Sequence, residues 1–334
     1  MNPIQSVRLA LSSAGYVASE KLATQVALLL ASNGGSVRAM LLDGPPGAGK
    51  TALAKAVARI LGVDYIYTQA HPGSAPEDFL YDANIVQILR GVAGDASAVQ
   101  SAEDVIDLGF LPLVFLASQR GPVVAFVDEL DKASPKVDSL FLAALQEGEV
   151  LVKGYGVVKA NLSNLVLFFT KNAERAVSEP LMRRCRREYL DFPSAELELA
   201  ILTGQVGVGR LEQPIGFPKE PVGSLPEAVA RVLIGVAGQL RAQGDNVLKP
   251  PATQELQMAG ADVIRLGRWG ALGMAGEIAF GWLAGYQEDQ AVLQRLVTKQ
   301  QLQELLAAAV RASAHEVTSR DVAQVDDTFV DLRR

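Results

Sequence analysis

A loop of glycine and proline, DGPPGAGKT at residues 43–51, lies between a short apolar run and a helix-like segment. Gly44, Gly49, Lys50 and Thr51 fit the spacing G-x-x-x-x-G-K-[ST]. Glycines allow backbone N–H groups to turn inward around phosphates without side-chain clash, and the following helix offers unpaired N–H groups and a positive dipole end. The pattern predicts a phosphate-binding loop between a buried strand and a helix.

The chemistry of this motif predicts ATP and Mg²⁺ as cofactors. Lys50 is expected to reach the β- and γ-phosphates, and the Thr51 hydroxyl is expected to ligate Mg²⁺. A chance glycine turn before a helix is the alternative, which the flanking strand and helix patterns disfavour. The residues expected to bind the nucleotide here are Pro46, Gly47, Ala48, Gly49, Lys50, Thr51 and Ala52.

A second apolar run, VVAFVDELDKA, ends in the adjacent acids Asp128 and Glu129. Asp128 is expected to hold Mg²⁺, through water, and Glu129 to polarise the water that attacks the γ-phosphate. The alternative is an exposed acidic turn after a strand. Two adjacent acids favour hydrolysis over a small-molecule kinase reaction, which has less use for the second acid.

A third apolar run, NLVLFFTKNAER, places Asn172 at its end, where a neutral amide can position the same water from the other side. Strand-end asparagines are often only turn formers, but the position after Glu129 favours a catalytic role. Thr170 is a lesser candidate on the same strand.

An arginine cluster follows in SEPLMRRCRREYLDFP, with Arg183 and Arg184 at the end of a short helix that Ser178 caps. Three interpretations stay open. The cluster supplies an arginine across a subunit boundary to stabilise charge in phosphoryl transfer, or it is a solvated basic patch, or it contacts nucleic acid.

Strand and helix patterns alternate through the first part of the chain, which predicts a parallel sheet with helices on both faces. The predicted domains are an α/β nucleotide-binding domain at 1–193, a linker or insert at 194–224, and an α-helical domain at 225–334 with extra C-terminal helices. Residues 91–104 are small and polar, and they predict a mobile surface loop. The predicted core strands are VRAMLLD, VDYIYTQA, GPVVAFVDE and NLVLFFT, with a hairpin in EVLVKGYGVVKA.

Composition narrows the function classes. The net charge of −6 disfavours a generally basic nucleic-acid binder. The single cysteine, Cys185, excludes an internal disulfide and indicates a reducing compartment. The start MNPIQSVRLALSSAG lacks a signal-peptide pattern, and the apolar runs are too short to span a bilayer. We therefore expect a cytoplasmic protein without membrane insertion.

The order of these motifs resembles AAA+ ATPases of the MoxR type, and most closely the branch that includes carbon monoxide dehydrogenase maturation ATPases. The resemblance covers roughly residues 15–200 and, more loosely, 225–267. It is carried by LLDGPPGAGKTALAKAVA, DFLYDANIVQIL, PVVAFVDELDKAS, FFTKNAERAVSEPLMRRC, YLDFP and VLKPPATQEL.

The resemblance implies an AAA+ core followed by a smaller all-α lid domain. It implies that Asn172 is the first sensor and that Arg184, with Arg183 close by, is the finger inserted into a neighbouring subunit. It also implies that Tyr16 and Val17 lie where relatives contact adenine.

The chain departs from the family pattern at two positions. Lys132 stands where many relatives have arginine. Lys249 stands near the second-sensor position, which is usually an arginine, and Arg265 and Arg268 are the other options for that role.

The resemblance further implies a homo-oligomer, usually a hexameric ring, that remodels a client protein or helps to insert a metal cofactor. Such ATPases often act with a partner that bears a von Willebrand A domain. Two alternatives stay open: a nucleic-acid motor or loader, and a nucleotide-gated scaffold with little catalysis.

Overall fold

The computed structural model describes residues 2–32, 38–94, 101–172, 174–204 and 224–313. Contacts within the chain divide it into two compact units, Met1–Asp191 and Phe192–Arg334. Residues 95–100, 205–223 and 314–334 lie outside the described residues, and they include part of the predicted loop at 91–104 and most of the predicted linker or insert at 194–224.

The first unit is built on a five-stranded parallel sheet with the strand order β2-β5-β8-β1-β9. Two short antiparallel pairs, β3 with β4 and β6 with β7, lie outside this sheet. The described strands are β1 (Arg38–Asp43), β2 (Asp64–Gln69), β3 (Tyr81–Ala83), β4 (Ile106–Leu108), β5 (Val123–Asp128), β6 (Glu149–Val152), β7 (Gly156–Lys159), β8 (Leu165–Thr170) and β9 (Arg186–Tyr189).

The helices of the first unit alternate with these strands along the chain. They are α1 (Pro3–Ser13), α2 (Glu20–Ala31), α3 (Lys50–Leu61), α4 (Ile85–Val92), α5 (Phe110–Arg120), α6 (Pro135–Glu147) and α7 (Glu179–Met182). Helix α6 ends at Gly148, which adopts φ +65°.

Both faces of the sheet are buried, which explains why the central strands are almost continuously apolar. Successive residues of β1 enter opposite cores, with Leu41 in one and Met40 in the other. The core around Met40 contains residues of α1, α2 and α3, and the core around Leu41 contains residues of α5 and α6. In the second core Phe141 meets Phe79 and Phe169 edge to face, with ring centroids 5.4 and 5.1 Å apart.

The arginine-rich segment forms the edge strand β9, which the sequence pattern does not predict. Its residues pair with β1 from Met40↔Arg186 to Asp43↔Tyr189. Only Glu188 is fully buried within the strand, and its carboxylate accepts a hydrogen bond from Lys21 at 2.5 Å. Charged side chains on an exposed sheet edge discourage pairing with another chain, so Arg186 and Arg187 have a structural explanation.

The described residues of the second unit form helices joined by loops, without strands. It contains α8 (Ala195–Leu202), α9 (Glu227–Arg241), α10 (Thr253–Arg268), α11 (Ala275–Leu283), α12 (Gln287–Leu296) and α13 over residues 299–313. Helix α8 lies inside the segment 194–224 that was interpreted as a linker. The fully buried carboxylate of Glu198 in α8 binds both terminal nitrogens of Arg241 in α9, at 2.8 and 2.9 Å.

The predicted fold class is confirmed: a parallel sheet with helices on both faces, followed by a smaller all-α domain. The predicted hairpin is β6–β7, with Gly154 in its turn at φ +84°. Within the described ranges, no helix combines the length and the apolar character needed to cross a membrane.

Candidate functional site

The carboxyl ends of three neighbouring strands bring the predicted catalytic residues together. In the order β5-β8-β1, the strands end at Asp128, Thr170 and Asp43. Parallel strands present these ends at one edge of the sheet, where such folds bind ligands. The residues that follow, Glu129, Asn172 and the loop to Lys50, therefore meet there.

The loop after β1 needs its glycines. Gly44, Gly47 and Gly49 adopt φ values of +133°, +80° and +92°, which side chains other than hydrogen disfavour. A Cβ at Gly44 would lie 1.9 Å from the carbonyl oxygen of Leu190, so the loop passes too close to the end of β9 for any side chain. Asp43 fixes the loop's first bend by accepting a hydrogen bond from Gly44 N at 2.8 Å.

The N-terminus of α3 faces this loop and is not capped by a side chain. The bond from Leu53 N to Gly49 O, at 3.0 Å, is the first of the helix, so the N–H groups of Lys50, Thr51 and Ala52 have no intrahelical acceptor. Pro46 and Gly47 are exposed beside them, and Ala48 is buried beneath. The arrangement fits an anion such as a phosphate.

Lys50 is only 7% exposed, and its ammonium is held by three oxygen atoms. Nζ donates to Gly44 O at 2.5 Å, to Pro45 O at 3.1 Å and to Asn172 Oδ1 at 2.7 Å. Burial lowers the pKa of Lys50, and the carboxylates of Asp128, Asp43, Asp131 and Glu129 oppose that shift.

Asn172 connects the lysine to the predicted base. Its Oδ1 accepts from Lys50, and its Nδ2 donates to Glu129 Oε1 at 3.0 Å. The structure thus brings Lys50, Asn172 and Glu129 into one hydrogen-bonded chain. The Asn172 amide thus lies between the ammonium that is predicted to bind phosphate and the carboxylate that is predicted to activate water.

The other oxygen of Glu129 is held by two more side chains. Oε2 accepts from Gln69 Nε2 at 2.6 Å and pairs with Lys132 Nζ at 2.9 Å. Burial raises the pKa of Glu129, but the hydrogen bonds from Lys132 and Gln69 and the charges of Lys132 and Lys50 outweigh it. The pKa of Glu129 is therefore lowered, and the carboxylate is ionised.

Glu129 also has a strained backbone. Its φ of +52° is the one positive value at a non-glycine residue in the described ranges. Glu129 N donates to Thr170 Oγ1 at 2.8 Å, and Thr170 in turn donates to Asp128 Oδ1 at 2.5 Å. Thr170 thus holds the turn in place at the end of β8.

Asp128 and Thr51 are the residues that could contact a metal ion. Asp128 Oδ2 accepts a long hydrogen bond from Tyr67 OH at 3.5 Å, and the side chain of Thr51 is half-buried at the start of α3. The described residues contain no group of three His, Cys, Asp or Glu side chains that could hold a metal. The carboxylate of Asp128 and the hydroxyl of Thr51 are oxygen ligands compatible with Mg²⁺, which usually takes one or two protein ligands together with phosphate oxygens and water.

Sequence reasoning missed three side chains of this site. Gln69 and Tyr67 lie on β2, whose sequence alone gives no sign that it lies beside β5. Asp131 is buried, and its Oδ2 accepts from Asn172 N at 2.9 Å and from Glu174 N at 2.8 Å, while Oδ1 has no hydrogen-bond partner among the described residues. The sequence did contain a signal for Asp131, because it is a third acid in DELDKA, three residues after Asp128.

The remaining predicted residues lie outside this hydrogen-bonded chain. The ring of Tyr16 packs beside Gly49, and Val17 is half-buried next to it. Arg183 pairs with Glu179 at 2.5 Å. The exposed side chain of Arg184 makes no hydrogen bond or ion pair within the described part of the chain.

Lys249 belongs to the second unit. It pairs with Glu255 at 3.1 Å, and its backbone N–H donates to the buried Asp289 at 3.0 Å. Of the other options for the second sensor, Arg265 pairs with Asp262 at 2.7 Å, and Arg268 also has a partner. The second-sensor role stays a prediction for all three.

Comparison with known proteins agrees with this geometry. Residues 39–185 match the family described as AAA domain, dynein-related subfamily. The match covers less than half of the chain and supports a nucleotide-dependent AAA+ ATPase. The uncharacterized protein YeaC of Bacillus subtilis (strain 168) is 29% identical over 119 residues, which are 35% of this chain and 30% of that protein. The chain thus aligns with less than a third of that relative's length.

We expect Lys132→Met to raise the pKa of Glu129, because the substitution removes both a hydrogen bond and a positive charge from its carboxylate. The measurement is a pH titration of ¹³C-labelled glutamate carboxyl groups by NMR, with the Glu129 signal assigned by its loss in Glu129→Gln. Lys159→Met is the control, because it removes an exposed ion pair with Glu149 on the β6–β7 hairpin. An unchanged Glu129 midpoint in Lys132→Met would contradict the assigned cause.

Proposed function

We propose that this protein is a Mg²⁺-dependent ATPase of the MoxR type that forms a ring and couples ATP hydrolysis to the remodelling or maturation of a partner protein. The observation that carries the proposal is the chain of hydrogen bonds from Lys50 through Asn172 to Glu129 at the head of the glycine loop. A phosphate-binding turn alone needs no carboxylate at the end of such a chain.

Bound Mg·ATP supplies the phosphoanhydride that is cleaved and the metal charge that stabilises the phosphates. The free N–H groups of α3 and the glycine loop bind the phosphates. Lys50 exchanges its carbonyl acceptors for phosphate oxygens. Thr51 and Asp128 would hold the metal, and Tyr16 and Val17 would lie beside the adenine ring.

Glu129 is the proposed general base. Lys132 and Gln69 hold the same oxygen atom of its carboxylate, and both contacts reduce its tendency to take a proton from water. Asn172 is proposed to orient the water, because its amide lies between the Lys50 ammonium and the Glu129 carboxylate and bonds to both. We call the contacts of Lys132 and Gln69 with Glu129 the clamp. We expect the clamp to keep the basal rate of hydrolysis low, and a conformational change of the turn that breaks these contacts would raise the rate.

A nucleic-acid motor or loader is less well supported. Two of the clustered arginines, Arg186 and Arg187, are edge-strand residues, and Arg183 is paired with Glu179. A nucleotide-gated scaffold is also less well supported, because it has no need for an ionised base beside Asn172. Salt-dependent affinity for DNA or RNA would favour the first alternative.

A protein partner is supported by the surface of α4. Ile85, Val86, Leu89 and Val92 are 60–81% exposed, and no residue of this helix is buried. Exposed apolar patches commonly mark interaction sites. The hexameric ring, the client, a von Willebrand A domain partner and the cytoplasmic location all stay proposals.

We expect Glu129→Gln to bind ATP with an affinity within about threefold of wild type but to hydrolyse it about 10²–10⁴-fold more slowly, the usual range for loss of a general base. Nucleotide affinity and phosphate release are measured on the same preparation. Glu149→Gln, an exposed residue of the hairpin, is the control. Normal turnover in Glu129→Gln would show that another group activates the water.

We expect turnover per subunit to rise with protein concentration in the wild type, because Arg184 acts on the site of an adjoining subunit. Arg184→Ala should lose at least about 10³-fold in turnover while retaining ATP binding, since a finger arginine contributes about 10³–10⁵-fold. The control Arg231→Ala removes an exposed arginine that pairs with Glu227. A rate per subunit that stays constant down to the monomer would contradict a finger in trans.

A further inference from the structure

Arg175 lies three residues after Asn172, and its side chain binds the turn that contains the proposed base, Glu129. Its Nε donates to Ala133 O at 2.8 Å, and its Nη2 donates to Leu130 O at 3.2 Å. Both carbonyls belong to the turn immediately after Glu129. The guanidinium side chain is only 20% exposed, so these bonds lie largely away from water.

The same guanidinium forms a two-pronged ion pair with Asp138 of α6. The two Nη–Oδ distances are 2.9 and 2.7 Å, and Asp138 is fully buried. A planar fork that meets a carboxylate in this way fixes orientation as well as distance. Arg175 therefore joins the Glu129 turn rigidly to helix α6.

Asp138 extends the connection to α7. Its Oδ2 also accepts from Ser178 N at 2.7 Å, and Ser178 is the residue immediately before this helix. Leu181 within α7 is 1% exposed and packs in the same core as Val137 and Phe141 of α6. Arg183 and Arg184 directly follow α7, so the position of α7 determines where they project.

A second link joins a side chain of the turn to the backbone of the segment that contains Arg175. Asp131, in the turn after Glu129, accepts hydrogen bonds from the backbone N–H groups of Asn172 and Glu174. The turn after Glu129 and the segment that contains Asn172 and Arg175 are thus joined both through a side chain of the segment and through a side chain of the turn. Displacement of the turn would move Arg175, Asp138 and the start of α7 together.

We propose that the Arg175–Asp138 pair is a positioning element that links the Glu129 turn to α7 and thereby sets the placement of Arg184 in the adjoining subunit's site. The inference rests on the proposed function, because it requires that Arg184 acts in trans. The hydrogen bonds of the two side chains go to Leu130, Ala133, Ala176 and Ser178 and to each other, all outside the glycine loop. A purely structural role for the pair would leave the finger of a folded subunit fully effective.

The test is a complementation assay with two inactive proteins. Arg184→Ala retains its own site but lacks the finger, and Glu129→Gln lacks its base but retains the finger. Mixed assemblies should recover hydrolysis at interfaces where a Glu129→Gln subunit supplies Arg184 to the other protein. This parent pair tests the proposed function, and failure to complement would refute the finger in trans and the present inference with it.

The inference itself is tested by adding Arg175→Met to the Glu129→Gln partner. That subunit already lacks hydrolysis at its own site, so any further loss reports its finger. We expect complementation to fall at least about tenfold. Arg175→Lys, which retains the charge without the fork, should restore part of it. The control, Arg231→Met in the Glu129→Gln partner, should complement within about twofold of the parent pair.

Full complementation by an assembled Arg175→Met partner would overturn the inference. If Arg175→Met fails to fold or assemble, as judged by its melting temperature and size, Asp138→Asn replaces it, because that change preserves volume and removes the charge that holds the fork. Loss of complementation by a folded Asp138→Asn partner supports the inference, and full complementation contradicts it. ATP affinity measured in the Arg175→Met single variant should stay within about threefold of wild type, since the contacts of the pair lie outside the glycine loop.

Discussion

The site is organised around one buried cation. All three protons of the Lys50 ammonium have protein acceptors, and the lysine lies where the carboxyl ends of β1 and β8 meet. Burial of an ammonium group is unfavourable unless its hydrogen bonds are satisfied and opposite charges lie near. Here four carboxylates supply the opposite charge. The glycine loop, the amide of Asn172 and the acids after β5 are therefore parts of one electrostatic arrangement.

Near this cation, the turn at Glu129 and the segment that follows β8 hold each other in place. The Glu129 turn has a strained backbone, and Thr170, Asp131 and Arg175 fix it to neighbouring segments. Strained residues persist where the surrounding structure over-determines them, commonly at sites that switch. The clamp of Gln69 and Lys132 on Glu129 and the link from Arg175 to α7 give this turn two sets of contacts that change together when it moves.

Sequence patterns predicted those parts of the site that follow the ends of apolar strands. Glu129 and Asn172 follow within two residues of the ends of β5 and β8, and Lys50 follows the end of β1 after the glycine loop, so the parallel arrangement brings them together. Gln69, Asp131 and Arg175 act through partners that lie 60, 41 and 37 residues away in sequence, and no local spacing reveals such pairs. Strand β9 was missed because its exposed arginines concealed a weak edge-strand pattern. The roles of Tyr16, Val17, Arg183, Arg184 and Lys249 stay predictions.

The most direct test of the account is a calorimetric titration of Mg·ATP into the wild-type protein and into Lys50→Met. Lys55→Met is the matched control, because Lys55 lies on the same helix with an exposed side chain. Charge-assisted hydrogen bonds contribute about 1.5–3 kcal/mol, so Lys50→Met should weaken binding about 10–100-fold. Lys55→Met should bind like wild type. Equal affinity in Lys50→Met and wild type, or no binding to the wild type, would contradict the account.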